Sequence, residues 1–295
     1  MKVLAIVGPT AVGKSDLAIK IGRSKKIEVI NADAMQLYKG MNIGTAKLDE
    51  KSRENIAHHL IDVLSPKEEA SVSVYQTKAR GLIKEVTQRQ NIPVLVGGSG
   101  LYVNSVLEDL EFPGTNLEIR AKYEELLEKN GVEYLYQELV KIDPAAAENI
   151  LKNNARRIVR ALEVNDLTGK NFNAKLPEPS PIFDDIRIGL NLERELLDLR
   201  IETRVHEMFS QGFVREVEAI FEELIEGKTA QKALGYFQVI QYLKDEITLE
   251  QAIEQTIIQT RKYARRQISW FKRDPLIQWF DAQDDELLTK VNRMI

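Results

Sequence analysis

The sequence predicts an α/β protein in which helices flank a parallel β-sheet and a small helical domain is inserted. Short apolar runs alternate with helical patterns, which is typical of parallel strands joined by crossover helices. From about 117 to 168 the periodicity is helical, with no strand candidate. The chain is therefore divided into an α/β core at 1–115 and 183–295, whose C-terminal part is mostly helical, and a helical insertion domain at 116–182.

The predicted strands of the core end at residues that suit a binding site. Apolar runs predict strands at 2–7, 28–33 and 92–98, and an alternation of polar and apolar residues predicts a strand at 185–192. A helix is predicted at 14–22, and another begins near Ser99. In parallel sheets of this class, ligands bind beyond the carboxyl ends of the strands. Gly8, Asp33 and Gly98 lie at such ends, so we expect them to converge on one cleft.

Composition excludes several classes of protein and site. Hydrophobic residues make up 43% of the 295 residues and charged residues 29%, which predicts a packed core and not a disordered chain. The absence of cysteine rules out disulfides, thiolate metal sites and thiol nucleophiles. Apolar stretches stay well below the roughly 20 residues that span a membrane, so we expect a cytoplasmic protein. The net charge of −4 excludes an overall basic surface but allows a local basic patch.

The most specific motif follows the first predicted strand. The segment GPTAVGKS matches the pattern G-x-x-x-x-G-K-[ST] in full, between a strand and a helix. Its glycines let backbone amides turn around an anion, and the helix N-terminus adds partial positive charge. Lys14 is expected to neutralise phosphate oxygens and Ser15 to hold a magnesium ion. The residues predicted to bind the diphosphate are Gly8, Pro9, Thr10, Ala11, Val12, Gly13, Lys14 and Ser15.

The phosphate loop does not identify the molecule that carries the phosphates. The strand at 92–98 ends without the aspartate that holds magnesium in a typical ATPase, and no base-reading motif of a switch GTPase is evident. Asp33 is either a helix or turn cap, or a general base or magnesium-linked acid that faces the phosphate loop, and its spacing alone does not decide. Asp62 follows the same logic with a weaker signal. His58 and His59 are interpreted as structural, since a third metal ligand at suitable spacing is lacking.

Two basic stretches are candidates for contact with a polyanion. Arg156, Arg157 and Arg160 lie opposite the apolar stripe of a predicted helix, where a solvated helix face explains them equally well. The segment TRKYARRQISWFKRDP at 260–275 has six basic residues and one acid, which favours contact with a nucleic acid backbone. Its aromatic residues, Trp270 among them, are either core residues or stacking platforms for bases.

Seven segments together resemble the tRNA dimethylallyltransferase family, also called the tRNA isopentenyltransferase family. They keep the order of the family's motifs and cover nearly the whole chain. The segments are GPTAVGKS (8–15), NADAMQLYKGMNIGTAK (31–47), HHLIDV (58–63), PVLVGGSGLYVNSVL (93–107), ARRIVRALEV (155–164), ALGYFQVIQYL (233–243) and RKYARRQISWFKRD (261–274). The resemblance implies a P-loop kinase-like fold with a helical insertion.

The resemblance also implies a reaction. A dimethylallyl group passes from dimethylallyl diphosphate to the exocyclic amine of the adenosine 3′ of the anticodon in tRNA, and diphosphate leaves. Magnesium (Mg2+) assists, and ATP is not hydrolysed, because the loop grips the leaving group of the substrate itself. The implied partners are the tRNA anticodon stem-loop and dimethylallyl diphosphate, with no membrane and no protein partner, so a monomer suffices.

Individual residues acquire roles from the resemblance. Asp33 would accept a proton from the amine, Lys14 and Thr10 would stabilise the leaving diphosphate, and Ser15 would bind magnesium. The residues implied to contact tRNA are Asp33, Ala34, Met35, Gln36, Ser99, Arg120, Arg156, Arg157, Arg160, Arg261, Arg265 and Arg266. The sequence departs from the family pattern at Ala34, Asn154, Ala155 and Phe237. These departures bear on the rate and on the tRNA affinity and leave the reaction class intact.

Two other functions stay open. A small-molecule P-loop kinase accounts for the phosphate loop, but it does not need the basic segment near the C-terminus. A catalytically weak tRNA-binding protein accounts for the basic segments and for the departures from the family pattern. ATP-dependent phosphorylation would favour the kinase, and salt-sensitive tRNA binding without turnover would favour the binding protein.

Overall fold

The structure, a computed structural model, describes residues 1–174 and 177–295. Among them, six strands form one sheet: β1 (Lys2–Val7), β2 (Ile27–Asn31), β3 (His58–His59), β4 (Ile92–Gly97), β5 (Asp184–Asn191) and β6 (Ile277–Asp281). The α-helices are α1 (Lys14–Gly22), α2 (Val72–Gln88), α3 (Gly100–Leu107), α4 (Leu117–Ile142), α5 (Pro144–Asn149), α6 (Ala155–Thr168), α7 (Arg194–Ser210), α8 (Phe213–Ala219), α9 (Phe221–Glu226), α10 (Tyr236–Leu243), α11 (Leu249–Phe271) and α12 (Leu287–Asn292).

The sheet is parallel, with the strand order β3-β2-β4-β1-β5-β6. Side chains of the central strand β1 alternate between two apolar layers. Leu4 and Ile6 pack on one face with residues of α1 and α7. Val3, Ala5 and Val7 pack on the other face with residues of α2 and α3. A strand that is buried on both faces is apolar throughout, which is why β1 is a continuous apolar run in the sequence.

The four predicted strands are confirmed, and so is the helix after the phosphate loop. Their ends differ from the prediction by at most two residues, with β2 ending at Asn31 and not at Asp33. Two strands were missed. β3 has only two residues, and β6 lies in the stretch that was predicted to be mostly helical. β6 is an edge strand in which only Ile277 is buried, so its sequence lacks the apolar pattern of a central strand.

The chain separates into two compact units. The first comprises Met1–Asp109 and Pro181–Ile295 and contains the sheet. The second is Leu110–Ser180, which contains α4, α5 and α6, whereas the sequence predicts the insertion at 116–182. This second unit has its own apolar core, whose buried residues include Tyr123, Leu139, Ile158 and Leu162. In the part of the chain that the structure describes, no helix is both long enough and apolar enough to cross a membrane.

A buried carboxylate on β2 connects this strand to the edge strand β3. Glu28 of β2 accepts two hydrogen bonds from Arg89, at 2.7 and 2.8 Å, and one from Asn91 at 2.8 Å. His59 Nε2 lies 2.6 Å from the same carboxylate. The Arg89 bonds, followed by those of the amide and imidazole, lower the pKa of Glu28 to about 2 against the opposing effect of burial. His59 therefore has the structural role that was expected of the histidine pair.

Candidate active site

The phosphate loop joins the central strand of the sheet to α1. Gly8 follows β1 with a φ of 140°, and a Cβ there would lie 2.6 Å from the carbonyl oxygen of Leu190 in β5. Gly13 caps the start of α1 with a φ of 101°, a left-handed conformation that favours glycine. Backbone geometry therefore requires both glycines of the motif. The first turn of α1 supplies amide groups without helical partners at this point, as an anion site needs.

Lys14 is the first residue of α1, and its ammonium group bonds back to the loop. The Nζ atom donates a hydrogen bond to the carbonyl oxygen of Pro9 at 2.7 Å. Burial lowers the pKa of Lys14 from 10.5 to about 8. The negative charge of Asp33 opposes that shift, and the positive charge of Arg204 adds to it. Charged groups from α1, α7 and the end of β2 therefore act on one another at this point.

Arg204 of α7 belongs to this site, although no sequence motif predicts it. Its Nη1 atom donates a hydrogen bond to Thr10 Oγ1 at 3.1 Å. Burial lowers the pKa of Arg204, and the charge of Asp33 opposes that effect. The same face of α7 carries the buried residues Leu197, Ile201, Val205 and Met208. A charged side chain on such an apolar stripe needs a partner or a ligand, and this was the signal that could have found it.

Asp33 lies two residues beyond β2 and is held by Asn31. The Asp33 amide donates to Asn31 Oδ1 at 2.9 Å, and Asn31 Nδ2 donates to the Asp33 carbonyl oxygen at 3.0 Å. Asp33 Oδ1 accepts the amide of Met35 at 2.9 Å, which caps the turn that leads into the short 3-10 helix Met35–Leu37. Its charge also acts on the two cations at the phosphate loop. Asp33 therefore has the capping role and also lies at the candidate site.

The turn between β4 and α3 is tied to the segment after β2. Ser99 Oγ accepts the amide of Ala34 at 3.0 Å, which joins two of the predicted tRNA-binding residues. Met35 and Gln36 follow directly and are half-buried. The side chain of Gln36 is engaged in its own loop, since Nε2 donates to the carbonyl oxygen of Thr45 at 3.0 Å. The ends of β2 and β4 thus converge, as the sequence analysis expected.

Gln267 of α11 connects the two loops of the site and is a second residue that was not predicted from the sequence. Its Oε1 accepts the amide of Thr10 at 2.8 Å, and its Nε2 donates to the carbonyl oxygen of Gly98 at 2.9 Å. Three residues along α11, Trp270 packs on Gly100, where a Cβ would lie 2.2 Å from the indole ring. Of the two interpretations of Trp270, the structure therefore supports the packing residue.

Two of the three predicted tRNA-binding arginines on α11 form ion pairs with α7. Arg261 Nη2 lies 2.6 Å from Glu202 Oε2, and Arg265 Nη2 lies 2.6 Å from Asp198 Oδ2. Arg266 is exposed to solvent. Sequence patterns did not distinguish the paired arginines from the exposed one. A pattern shows where charges lie along the helix but not which partner each meets on the neighbouring helix. Contact of the three with tRNA stays a prediction.

The other predicted tRNA-binding arginines lie in the unit Leu110–Ser180. Arg120 and Arg160 each pair with a glutamate on their own helix, at 3.2 and 2.9 Å. Arg156 and Arg157 are exposed in the first turn of α6. The exposed pair suits a solvated helix face and a phosphate contact equally well, so their role also stays a prediction.

Three features define a protein with a P-loop kinase-like fold. They are the parallel sheet, the phosphate loop after its central strand, and the charged cluster at its carboxyl edge. The chain belongs to the IPP transferase family, whose model matches residues 36–274. The family resemblance inferred from the sequence is therefore confirmed.

Similar proteins match nearly the whole chain. A tRNA dimethylallyltransferase of Salinispora tropica is 46% identical over 294 residues, which are 99% of this chain and 92% of that protein. The crystal structure of a tRNA isopentenylpyrophosphate transferase from Bacillus halodurans has a TM-score of 0.74 and 37% identity, covering 99% of this chain and 95% of that one. A eukaryotic dimethylallyltransferase acting on tRNA has a TM-score of 0.82 and 29% identity, covering 99% of this chain and 77% of that one.

Proposed function

We propose that this protein transfers a dimethylallyl group from dimethylallyl diphosphate to the exocyclic amine of the adenosine 3′ of the anticodon in tRNA, with release of diphosphate. The observation that carries the proposal is the cluster at the carboxyl edge of the sheet, where Lys14, Arg204 and Asp33 act on one another beside the phosphate loop. The names of the similar proteins suggest the substrates, and the cluster supplies a physical account of the transfer.

The phosphate loop suits a diphosphate that leaves during the reaction. As the bond between the allylic carbon and the diphosphate oxygen breaks, negative charge builds up on the diphosphate. Lys14 and Arg204 would stabilise this charge, together with Thr10, whose hydroxyl group Arg204 contacts at 3.1 Å. Donors that are fixed in advance toward a developing charge contribute about 3 kcal/mol each to lowering a barrier. This account needs no hydrolysis of ATP.

Asp33 is the proposed base. The exocyclic amine of adenine is a weak nucleophile, because its lone pair is delocalised into the ring. As the new bond between nitrogen and the allylic carbon forms, the amine loses a proton, which Asp33 accepts. The two hydrogen bonds to Asn31, at 2.9 and 3.0 Å, hold the backbone of Asp33 in place before substrates bind.

The adenine must leave its stack to reach this cluster. The proposed contacts of the extruded nucleotide are the residues around Asp33, namely Ala34, Met35, Gln36 and Ser99. Arg266 is the proposed phosphate contact of α11. Its ion-paired neighbours on that helix would have to give up their bonds to α7 before they could bind phosphate. Such phosphate contacts add affinity that falls as the salt concentration rises.

Magnesium is the proposed cofactor. Ser15 is half-buried at the start of α1, and its hydroxyl group is the kind of hard oxygen ligand that Mg2+ prefers. Among residues 1–174 and 177–295, no group of three or more His, Cys, Asp and Glu side chains could hold a metal. Magnesium at phosphate sites uses few protein ligands and completes its shell with phosphate oxygens and water. When bound, the ion would neutralise charge on the diphosphate.

We propose a monomer that works in the cytoplasm, where tRNA is modified.

The test combines the protein with unmodified tRNA, magnesium and labelled dimethylallyl diphosphate. We expect label on the adenosine 3′ of the anticodon without added ATP. Failure to label any tRNA species would refute the proposed function. Phosphorylation of a small molecule by ATP, without transfer of the label, would instead support the kinase alternative.

Replacement of Asp33 separates the base from the diphosphate pocket. We expect Asp33→Ala to abolish transfer and to leave the calorimetric affinity for pyrophosphate within about threefold of the wild type. Asp109→Ala, which replaces an exposed acid of the same unit, is the control and should retain both transfer and pyrophosphate binding. Equal loss of transfer and of pyrophosphate binding in Asp33→Ala would contradict the assignment of the base.

A further inference from the structure

Gln267 is a polar residue in an apolar position. It lies on the buried stripe of α11 with Ala264 and Phe271, and only 4% of its surface is exposed. A buried amide side chain that lacks partners is unfavourable, so its hydrogen bonds decide whether it stabilises the fold. Gln267 directs both ends of its amide group to backbone atoms at the carboxyl edge of the sheet.

The two bonds of Gln267 join the loops that follow adjacent strands. The Thr10 amide, after β1, donates to Oε1 at 2.8 Å, and the Gly98 carbonyl oxygen, after β4, accepts from Nε2 at 2.9 Å. Thr10 is also the residue whose hydroxyl group accepts a bond from Arg204 at 3.1 Å. Gln267 therefore holds the backbone of the residue that Arg204 contacts and links it to the loop after β4.

Gly98 provides the space that this arrangement needs. A Cβ at this position would lie 2.1 Å from Gln267 Nε2, which is closer than nonbonded atoms approach. Since φ of Gly98 is not in the left-handed region, alanine is permitted there by the backbone. The steric conflict with the amide of Gln267 is thus the specific consequence of adding a methyl group at Gly98.

We propose that Gln267 is a positioning residue of the diphosphate pocket, which fixes Thr10 so that the phosphate loop and Arg204 meet a diphosphate in the correct geometry. The inference rests on the proposed function, because it takes the diphosphate as the ligand. It predicts that loss of the Gln267 bonds weakens diphosphate binding specifically. A role in packing alone predicts lower stability with unchanged affinity in the folded protein.

The first test is Q267M, which keeps the length of the side chain and removes both polar ends. We expect the dissociation constant for inorganic pyrophosphate, measured by calorimetry, to rise about tenfold, as the loss of one or two hydrogen bonds predicts. The KM for dimethylallyl diphosphate should rise with it, and by a larger factor than the KM for tRNA. Q259M is the matched control, because Gln259 is a half-exposed glutamine two turns earlier on the same helix.

A second variant, G98A, keeps the inference testable if Q267M folds poorly. We expect G98A to displace the amide and to reproduce the weaker binding, and the double variant G98A/Q267A to bind no more weakly than Q267A. Additive losses, or equal pyrophosphate binding by wild type and Q267M, would overturn the inference and leave the proposed function intact. A wild-type protein that binds no pyrophosphate would overturn both.

Discussion

The depressed pKa of Lys14 predicts that diphosphate binding weakens at alkaline pH. Burial lowers the pKa of this ammonium group from 10.5 to about 8. An anion favours the charged ammonium, so binding to the deprotonated protein requires uptake of a proton. Affinity for pyrophosphate should therefore be nearly constant well below pH 8 and fall as the pH rises through this value.

The size of the effect follows from the fraction of Lys14 that carries a charge. With a pKa of about 8, roughly 90% of the side chain is protonated at pH 7 and roughly 9% at pH 9. The apparent dissociation constant varies inversely with the competent fraction, so it should rise about tenfold over this interval, or about 1.4 kcal/mol.

Two neighbouring charges set the pH at which the fall begins. The charge of Asp33 raises the pKa of Lys14, so Asp33→Asn should move the fall to lower pH. The charge of Arg204 lowers this pKa, so Arg204→Gln should move the fall to higher pH, on top of weaker binding overall. The opposite directions of these two shifts test the arrangement of the three groups and not merely the presence of a lysine.

The assay is calorimetry with pyrophosphate from about pH 6.5 to about pH 9.5 at constant ionic strength. Because pyrophosphate itself loses protons in this range, Lys14→Arg is the control, since a guanidinium does not titrate there and reports only the ligand. The wild-type profile divided by the control profile should show the tenfold change. Identical profiles for wild type and Lys14→Arg, or an upward shift in Asp33→Asn, would refute the reasoning.

The remaining predictions concern tRNA affinity and acid stability. Arg266→Ala should reduce the slope of log affinity for tRNA against log salt concentration by about one. Arg265→Ala should change this slope less, because Arg265 pairs with Asp198. If filter binding gives the two variants equal slopes, Arg266 is not the exposed phosphate contact. The pKa of Glu28 is lowered from 4.5 to about 2, so its ionised form stabilises the fold fully above pH 4.5. This contribution is lost as the pH falls from 4.5 to about 2. Glu28→Gln should therefore flatten the pH dependence of urea unfolding in this window, and an unchanged dependence would exclude Glu28 as its source.

Local pattern was sufficient for the central part of the fold. β1 and β4 are buried on both faces and are therefore nearly continuous apolar runs, β5 alternates polar and apolar residues, and the glycines of the phosphate loop mark the turn into α1. β3 and β6 were missed because a two-residue strand has no period and an edge strand with one buried residue has no apolar run. Their existence depends on the neighbouring strands with which they form hydrogen bonds.

The candidate site divides in the same way. The sequence by itself determined the phosphate loop and the strand-end position of Asp33. Both depend on residue types at fixed positions relative to a neighbouring strand or helix, which a local stretch of sequence already shows. Only the tertiary structure decided that Arg204 and Gln267 meet Thr10, since these contacts join positions 194 and 257 residues apart. It also decided that Arg265 is paired and Arg266 exposed. Periodicity shows which face of a helix is buried, but the partner across that face depends on how distant segments pack.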